Sequence, residues 1–478
     1  MGGCQSNKNK KIIRSSTFRT PRSSLKRIYN VTNKIIGKGA FAKVLKGRSL
    51  ADPKFKVAVK CLKPNSSKDL EALKNEVNIL NKLDHPNIVK CYYSSLEQQD
   101  QKNAKMSEVF IVTEYARGEA LSTIMSKNKN GLSEINAANI MYQLLSAINH
   151  CHANQIAHRD IKPHNIIVSK NIKVTLIDFG LSYEYSLGEH MKSCAGSPLF
   201  MAPEIAKQDY TYKCDIWSLG ILMYVLLSGR LPFYGDSPKE VIANALECDL
   251  ALNSDFWKNT SPEALDLLEQ MINVDPDARP TCAKIMKHEW FDVIKDDTTD
   301  DNAENKDMPI LDSIRNFKCS SKFTHFLLLN LTRMFKIKKN SEFCQEFKRI
   351  DEDNDGMISL EELKNAFDKA NMDLSNSEME DIMKAIDFSG NGKINFTEFL
   401  VATAETKTIK QEEYIKMIFD QFDYDTDRKV RKDDITHEFL LQGYSLTLAD
   451  LKKIFEVHDA KNRGYLEYQD FIDAIVDF

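Results

Sequence analysis

The sequence predicts an α+β domain followed by an all-α domain built from four repeated helix–loop–helix units. Three observations carry this reading. The chain has 478 residues, and a single hydrophobic core rarely grows beyond about 250–300 residues, so at least two domains are expected. Residues 29–291 alternate strand-like with helix-like apolar stretches. Acidic loops then open at Asp351, Asp387, Asp423 and Asp459, 36 residues apart each time, with helical apolar pattern around them. Phe343 and Phe347 lead into the first loop, and Leu363 and Phe367 follow it. Chance acidic loops do not easily give three equal spacings.

In order, the segments are a basic tail at 1–28, the α+β domain at 29–291, an acidic linker and junction at 292–340, and the repeat at 341–478. Within the junction, 308–340 reads as a basic amphipathic stretch. A hydrophobic content of 42% and a charged content of 28% are ordinary for a soluble globular protein. The net charge of -4 is unevenly spread, with a tail free of acids and an acidic run from Lys295 to Asp307, which does not suggest a nucleic-acid partner. None of the ten cysteines forms a CxxC pair, which argues against zinc and a disulfide framework and fits a reducing compartment. Apolar runs such as Ile221 to Leu227 are too short to span a bilayer. No secretory apolar region opens the chain.

The α+β domain carries an ordered set of motifs. Ile36-Gly37-Lys38-Gly39-Ala40-Phe41-Ala42-Lys43-Val44 has glycines where a backbone must approach phosphates, with Ala42 in place of the third glycine. Lys60, in Val57-Ala58-Val59-Lys60, can neutralise ATP α/β-phosphates, and Glu76 is its expected ion-pair partner. In His158-Arg159-Asp160-Ile161-Lys162-Pro163-His164-Asn165, Asp160 is placed to accept a hydroxyl proton and Asn165 to hold magnesium. Asp178-Phe179-Gly180 supplies a second magnesium ligand, Asp178, and Ala202-Pro203-Glu204 closes the segment. Two separated metal ligands allow the γ-phosphoryl charge to be neutralised from both sides.

With these motifs in this order, residues 29–291 resemble a two-lobed eukaryotic protein kinase domain. Lys162 after Asp160 resembles the serine/threonine branch. The resemblance implies Asp160, Lys162 and Asn165 as catalytic residues. It also implies ATP contacts along 36–44 and at Lys60, Glu76, Glu114 and Ala116, the last two in the hinge after the gatekeeper Thr113. Asp215 in Asp215-Ile216-Trp217 is similar to the residue that braces the catalytic loop, and Arg279 to the partner of Glu204; both roles are structural. Glu119 is left open between the ribose and a basic substrate residue. Ser193 falls where many kinases carry an activating phosphate that Arg159 would pair, although calcium-dependent kinases often do without that switch.

The repeat matches the calcium loop of an EF-hand, which supplies oxygens at positions 1, 3, 5, 7, 9 and 12 around a turn glycine at 6. The first loop, 351–362, offers Asp351, Asp353, Asp355, the Met357 carbonyl, Ser359 and Glu362, with Gly356 at the turn. The second, 387–398, offers Asp387, Ser389, Asn391, the Lys393 carbonyl, Asn395 and Glu398, with Gly392 at the turn. It has less charge, so weaker binding is expected. In the third, 423–434, Arg428 replaces the glycine and Asp434 the glutamate, leaving weak binding, magnesium or a purely structural role open. In the fourth, 459–470, Lys461 and Arg463 stand at ligand positions, and no calcium is expected. About two competent calcium sites follow.

The whole, a protein kinase domain with a basic junction and an all-α calmodulin-like domain of four EF-hands, resembles the calcium-dependent protein kinases, or calmodulin-domain kinases. The resemblance implies an autoinhibitory junction, Mg2+ with ATP, protein serine or threonine acceptors, and a monomer. Two other readings remain: a calcium-responsive pseudokinase scaffold, and EF-hands that serve as a constant structural module. At the other end, Met1-Gly2-Gly3-Cys4-Gln5-Ser6 fits N-myristoylation at Gly2, with Cys4 as a palmitoylation candidate. Acylation beside a basic tail would place the protein in the cytoplasm, on the cytoplasmic face of a membrane.

Overall fold

The computed structural model describes residues 25–26, 28–38, 42–50, 52–96, 108–294, 308–319, 321–334, 342–403, 412–423, 425–442 and 444–476. Gly2 and Cys4 of the tail, and Gly39, Ala40 and Phe41 of the glycine-rich loop, lie outside them.

The chain opens with β1 (Tyr29–Lys38), β2 (Ala42–Ser49) and β3 (Lys56–Leu62), followed by α1 (Ser67–Lys82), β4 (Cys91–Ser94) and β5 (Val109–Glu114). The strands form one sheet in the order β1-β2-β3-β5-β4. A capping box starts α1: Ser66 Oγ accepts from Asp69 N, and the Asp69 carboxylate accepts from Ser66 N, each at 3.1 Å. Leu73 and Val77 of α1 pack on Val109 and Ile111 of β5. Strand alternation sends Val57 and Val59 of β3, with Phe110 and Val112 of β5, to the opposite face.

The second lobe is mostly helical. It contains β6 (Glu119–Ala120), α2 (Leu121–Lys127), α3 (Glu134–Ala153), β7 (Ile156–Ala157), β8 (Ile166–Val168), β9 (Val174–Leu176) and β10 (Tyr183–Glu184). Then come α4 (Cys214–Ser228), α5 (Pro238–Glu247), α6 (Pro262–Met271) and the single turn α7 (Cys282–Ile285). Helix α4 is apolar nearly all round and buried at the lobe's centre. It ends at Gly229 with φ +70°, where a Cβ would lie 2.2 Å from the Lys129 carbonyl oxygen, so only glycine fits.

The junction differs from the single basic amphipathic stretch expected. It forms two helices, α8 (Met308–Asn316) and α9 (Lys322–Met334). Phe323, Phe326, Leu327, Leu328, Leu329 and Leu331 of α9 are all essentially buried, so this helix has no wet apolar-to-polar division. The reason lies in what surrounds it. The helices of the repeat are α10 (Glu342–Ile350), α11 (Leu360–Lys369), α12 (Asn376–Ile386), α13 (Phe396–Thr403), α14 (Glu412–Phe422), α15 (Lys432–Leu441), α16 (Leu448–His458) and α17 (Tyr468–Val476). Among the described residues, α13, α14, α15, α16 and α17 all touch α9. Strands β11 (Met357–Ser359) and β12 (Lys393–Asn395) join the first two loops through Ile358 and Ile394, and a Val430–Leu466 bridge joins the other two. The outer face of the kinase-like sheet, α9 and the interior of the repeat share one continuous core. No helix among the described residues is long and apolar enough to cross a membrane.

Candidate active site and calcium loops

Lys60 leaves β3 on the face opposite Val59. Its Nζ lies 2.6 Å from Glu76 Oε1 and 3.3 Å from Asp178 Oδ1. Burial works against the Lys60 charge, but Glu76 and Asp178 outweigh it and hold the ammonium above its usual range. Burial also raises Glu76 against the pull of Lys60. Asp178 sits below the usual carboxylate range: burial opposes its charge, and Lys60 overcomes that. Upstream, Gly37 pairs with Val44 and Lys38 with Lys43, so Ile36 to Lys38 and Ala42 to Val44 form the two arms of the glycine-rich hairpin. Glu114 ends β5 and Ala116 lies two residues further on.

The catalytic loop is held from below. Buried Asp215, at the start of α4, accepts from the backbone N–H groups of His158 and Arg159, each at 2.8 Å. Arg159 has φ +64°, a left-handed conformation costly for its side chain, and these two bonds fix it. Asp160 Oδ2 lies 2.7 Å from Lys162 Nζ, and Asn165 Nδ2 donates to the Asp160 carboxylate and carbonyl at 2.9 Å. Arg279 forks onto Glu204 at 2.5 and 2.9 Å, fully buried. Arg159 Nη1 donates to Ser193 Oγ at 2.7 Å, so the candidate phosphate acceptor and its cation are already adjacent. Glu119, on β6, is paired with Lys127 at 2.6 Å.

One residue had no role in the sequence reading. Ser197 Oγ donates to Asp160 Oδ1 and accepts from Lys162 Nζ, both at 2.8 Å. A hydroxyl six residues before Pro203 of the closing triplet was the available signal.

In the first calcium loop, Asp351 accepts from Gly356 N at 2.9 Å, and Asp353 and Asp355 accept from Asp355 N and Met357 N at 2.9 and 2.8 Å. Glu362 caps its own helix through Ser359 and also accepts from Asp353 N at 3.2 Å. Burial, then the carboxylates Asp355, Glu362 and Asp353, push Asp351 up to about 8. That crowding of negative charge fits a divalent cation, as does the oxygen-only donor set. The Lys393 side chain reaches across from the second loop to Asp355. In that second loop, Asp387 accepts from Gly390 N and Gly392 N at 2.7 Å, Asn391 from Lys393 N at 2.8 Å, and Glu398 from Ser389 N and Asn395 N at 3.0 and 2.8 Å. Ser389 Oγ donates to Asp387 at 3.0 Å. Burial pushes Glu398 up to about 7.

Both loops lie against the kinase-like domain. Asn149 of α3 donates to the Asn354 carbonyl at 2.8 Å, and His150 Nδ1 meets the Asp355 carbonyl at 2.8 Å. A Cβ on Gly356, which has φ +75°, would lie 2.6 Å from His150 Nδ1. Thr397, beside Glu398, is held by Asp84 and Lys90, the latter donating to its hydroxyl at 2.9 Å.

The third loop brings Asp423, Asp425 and Asp427 together. Arg431 pairs with Asp427 at 2.5 Å, while buried Asp423 Oδ1 meets no hydrogen-bond donor among the described residues. Arg428, at the glycine position, is left-handed with φ +60°. Burial pushes Asp434 up to about 6. In the fourth loop Arg463 lies among the carboxylates.

Comparison with known proteins adds two kinds of likeness. A protein kinase domain model matches residues 30–291, and an EF-hand domain pair model matches residues 340–403. Calcium-dependent protein kinase 34 of Arabidopsis thaliana is 31% identical over 416 residues, covering 85% of this chain and 76% of that protein. Calcium-dependent protein kinase 4 of Plasmodium falciparum is 30% identical over 466 residues, covering 93% and 85%. Calcium-dependent protein kinase 5 of the same organism is 28% identical over 449 residues, covering 93% and 77%.

Proposed function

The chain belongs to the calcium-dependent protein kinase family, and from that premise we propose that its first EF-hand pair governs transfer of the ATP γ-phosphate to protein serine or threonine hydroxyls. Asp160 orients the acceptor hydroxyl and takes its proton. Lys162 beside it offsets the charge building on the transferred group. Lys60, fixed by Glu76, positions the α/β-phosphates. Asn165 and Asp178 would hold Mg2+, which neutralises phosphate charge when bound. The complete set of Lys60, Glu76, Asp160, Asn165 and Asp178 in one cleft disfavours the pseudokinase reading.

One observation carries the regulatory half: the two most complete calcium loops both make direct contacts with the kinase domain. Asn149 and His150 hold carbonyls of the first loop, and Asp84 and Lys90 hold Thr397 of the second. Asp351, Asp353, Asp355 and Glu362, with Asp387, Asn391 and Glu398, would hold Ca2+, whose charge offsets the crowded carboxylates. Any shift in these loops then bears on α3 and on the segment after α1, which carries Glu76. On this proposal the junction and sensor restrain the kinase until the first pair is loaded. Moving such a switch from 1:99 to 99:1 needs roughly 5.5 kcal/mol, or about 100-fold preference from each of two sites.

The test is activity against calcium concentration for Glu362→Gln and Glu398→Gln, singly. Each should shift the curve to higher calcium. Calcium-independent full activity would favour the constant-module reading. No transfer at any calcium level would favour the scaffold.

For the N-terminus we propose acylation of Gly2 and Cys4 and attachment of a cytoplasmic monomer to an anionic membrane surface. The support is the sequence pattern and the basic residues that follow it. One myristoyl chain anchors only marginally, and each basic residue near the surface adds about 1 kcal/mol. A Gly2→Ala chain that stays in the membrane fraction would contradict this.

A further inference from the structure

The fourth loop does not fit a metal ion. Its positions 1, 9 and 12 carry Asp459, Glu467 and Asp470, but position 5 carries Arg463. The guanidinium reaches all three carboxylates: Nη1 lies 2.5 Å from Glu467 Oε2, Nη2 2.5 Å from Asp470 Oδ2, and Nε 3.5 Å from Asp459 Oδ1. The Arg463 side chain is only 15% exposed. We propose that Arg463 is a tethered cation that fills the fourth loop and holds the second EF-hand pair on the junction helix without calcium in that loop.

The loop keeps the backbone form that an ion would organise. Gly464, at position 6, has φ +79° and donates to Asp459 Oδ2 at 2.7 Å. Glu467 N donates to Asp470 at 2.6 Å, starting α17. Val430 and Leu466 exchange both backbone hydrogen bonds at 2.8 Å. A planar guanidinium suits this task because its fork of donors can meet several carboxylates at once.

The other loops sharpen the point. In the third, Arg431 pairs with Asp427 but leaves Asp423 Oδ1 without a donor. In the first, Lys393 reaches only Asp355, and Asp351 stays crowded. Among the described residues, only the fourth loop has one cation on positions 1, 9 and 12 together.

The helices on either side of this loop grip α9. Phe323 packs edge-on against Phe471 with ring centroids 5.2 Å apart. Ser321 Oγ lies 2.9 Å from the Nε2 of His458, the residue just before Asp459. A loop neutralised from within would keep α16 and α17 closed on α9 at every calcium level. Response to calcium would then be confined to the first pair, with the second a fixed anchor.

Hydrogen exchange on the full-length chain tests this without measuring activity, and so separately from the kinase reading. Residues 448–476 should exchange at the same rate in calcium and in chelator, within about twofold, while 342–403 slow in calcium. Arg463→Met should speed exchange of 448–476 at least tenfold in chelator. Adding Glu467→Gln and Asp470→Asn to Arg463→Met should restore most of the protection, because the repulsion goes with the charges. Tenfold calcium protection of 448–476 in the unaltered chain would overturn the proposal. So would an Arg463→Met chain that exchanges normally. The unaltered chain decides the matter even if that variant does not fold.

Discussion

The backbone N–H of Thr397 donates to Asp84 Oδ2 at 2.8 Å, so a carboxylate from the kinase domain caps the helix that leaves the second calcium loop. Asp84 lies just beyond the end of α1, and Lys90 holds it at 2.9 Å. Replacing a helix cap costs typically about 1 kcal/mol, up to ~2. Asp84→Ala should therefore raise the half-maximal calcium concentration about five- to thirtyfold. Lys90→Met should shift it in the same direction, and the double variant should shift it less than the sum. A calcium–activity curve unmoved by Asp84→Ala would show that this contact transmits nothing.

Lys393 predicts the opposite shift. Its ammonium offsets the crowded carboxylates of the first loop, and an incoming ion must compete with it. Lys393→Met should tighten calcium at the first loop by about fivefold, equivalent to ~1 kcal/mol for a partly buried charge pair. Calorimetric titration with Glu398→Gln and Asp423→Asn both present isolates that loop. Weaker binding would mean that Lys393 organises the site instead of competing for it.

Ser197 should behave as a positioning residue. Its hydroxyl joins Asp160 to Lys162. Ser197→Ala should lower kcat about ten- to a hundredfold, since one lost orienting hydrogen bond is worth about 1.5–3 kcal/mol when charged groups are involved. KM for ATP should change little, and Ser197→Thr should recover most of the rate. A rise in KM for ATP at constant kcat would place Ser197 in nucleotide binding.

His325 predicts an acid limb in stability. It is buried on α9 near the rings of Phe317 and Phe388, and burial lowers it to about 4. The folded state keeps it neutral, whereas the unfolded chain takes up a proton near pH 6.5. Its contribution is therefore present above pH 6.5 and is lost as pH falls toward 4. Between pH 6.5 and 5 the loss is roughly 2 kcal/mol. His85, His150 and His158 are lowered by burial in the same sense, so the informative quantity is a difference. His325→Leu should lose less Tm than the unaltered chain between pH 7 and pH 5. Equal losses would exclude His325 as a source.

The catalytic cleft was legible because phosphoryl transfer demands particular side chains in a fixed order, and Lys60, Asp160, Asn165 and Asp178 satisfy it. The calcium loops were legible for the same reason, since a hard cation needs oxygens at set intervals. The junction was less so. Three of the seven basic residues that made 308–340 look basic and amphipathic, Lys336, Lys338 and Lys339, lie outside the described residues. Within α9, periodicity could not reveal a helix covered on several sides by partners distant in sequence. The interface was illegible for a related reason. Asp84, Asn149 and His150 are ordinary polar residues with no local pattern, and their partners lie more than 200 positions away.

Gly356 bears two separate demands with one missing methyl group. The turn needs its φ of +75°, and His150 leaves no room for a Cβ. Asparagine often tolerates left-handed backbone, as Asn354 does two residues earlier with φ +55°. At position 356 it would still collide with the imidazole. Gly356→Asn would therefore yield a protein that senses the ion and does not report it, a deafness of coupling in which the ear itself is intact, whereas bulkier changes would strain the turn as well.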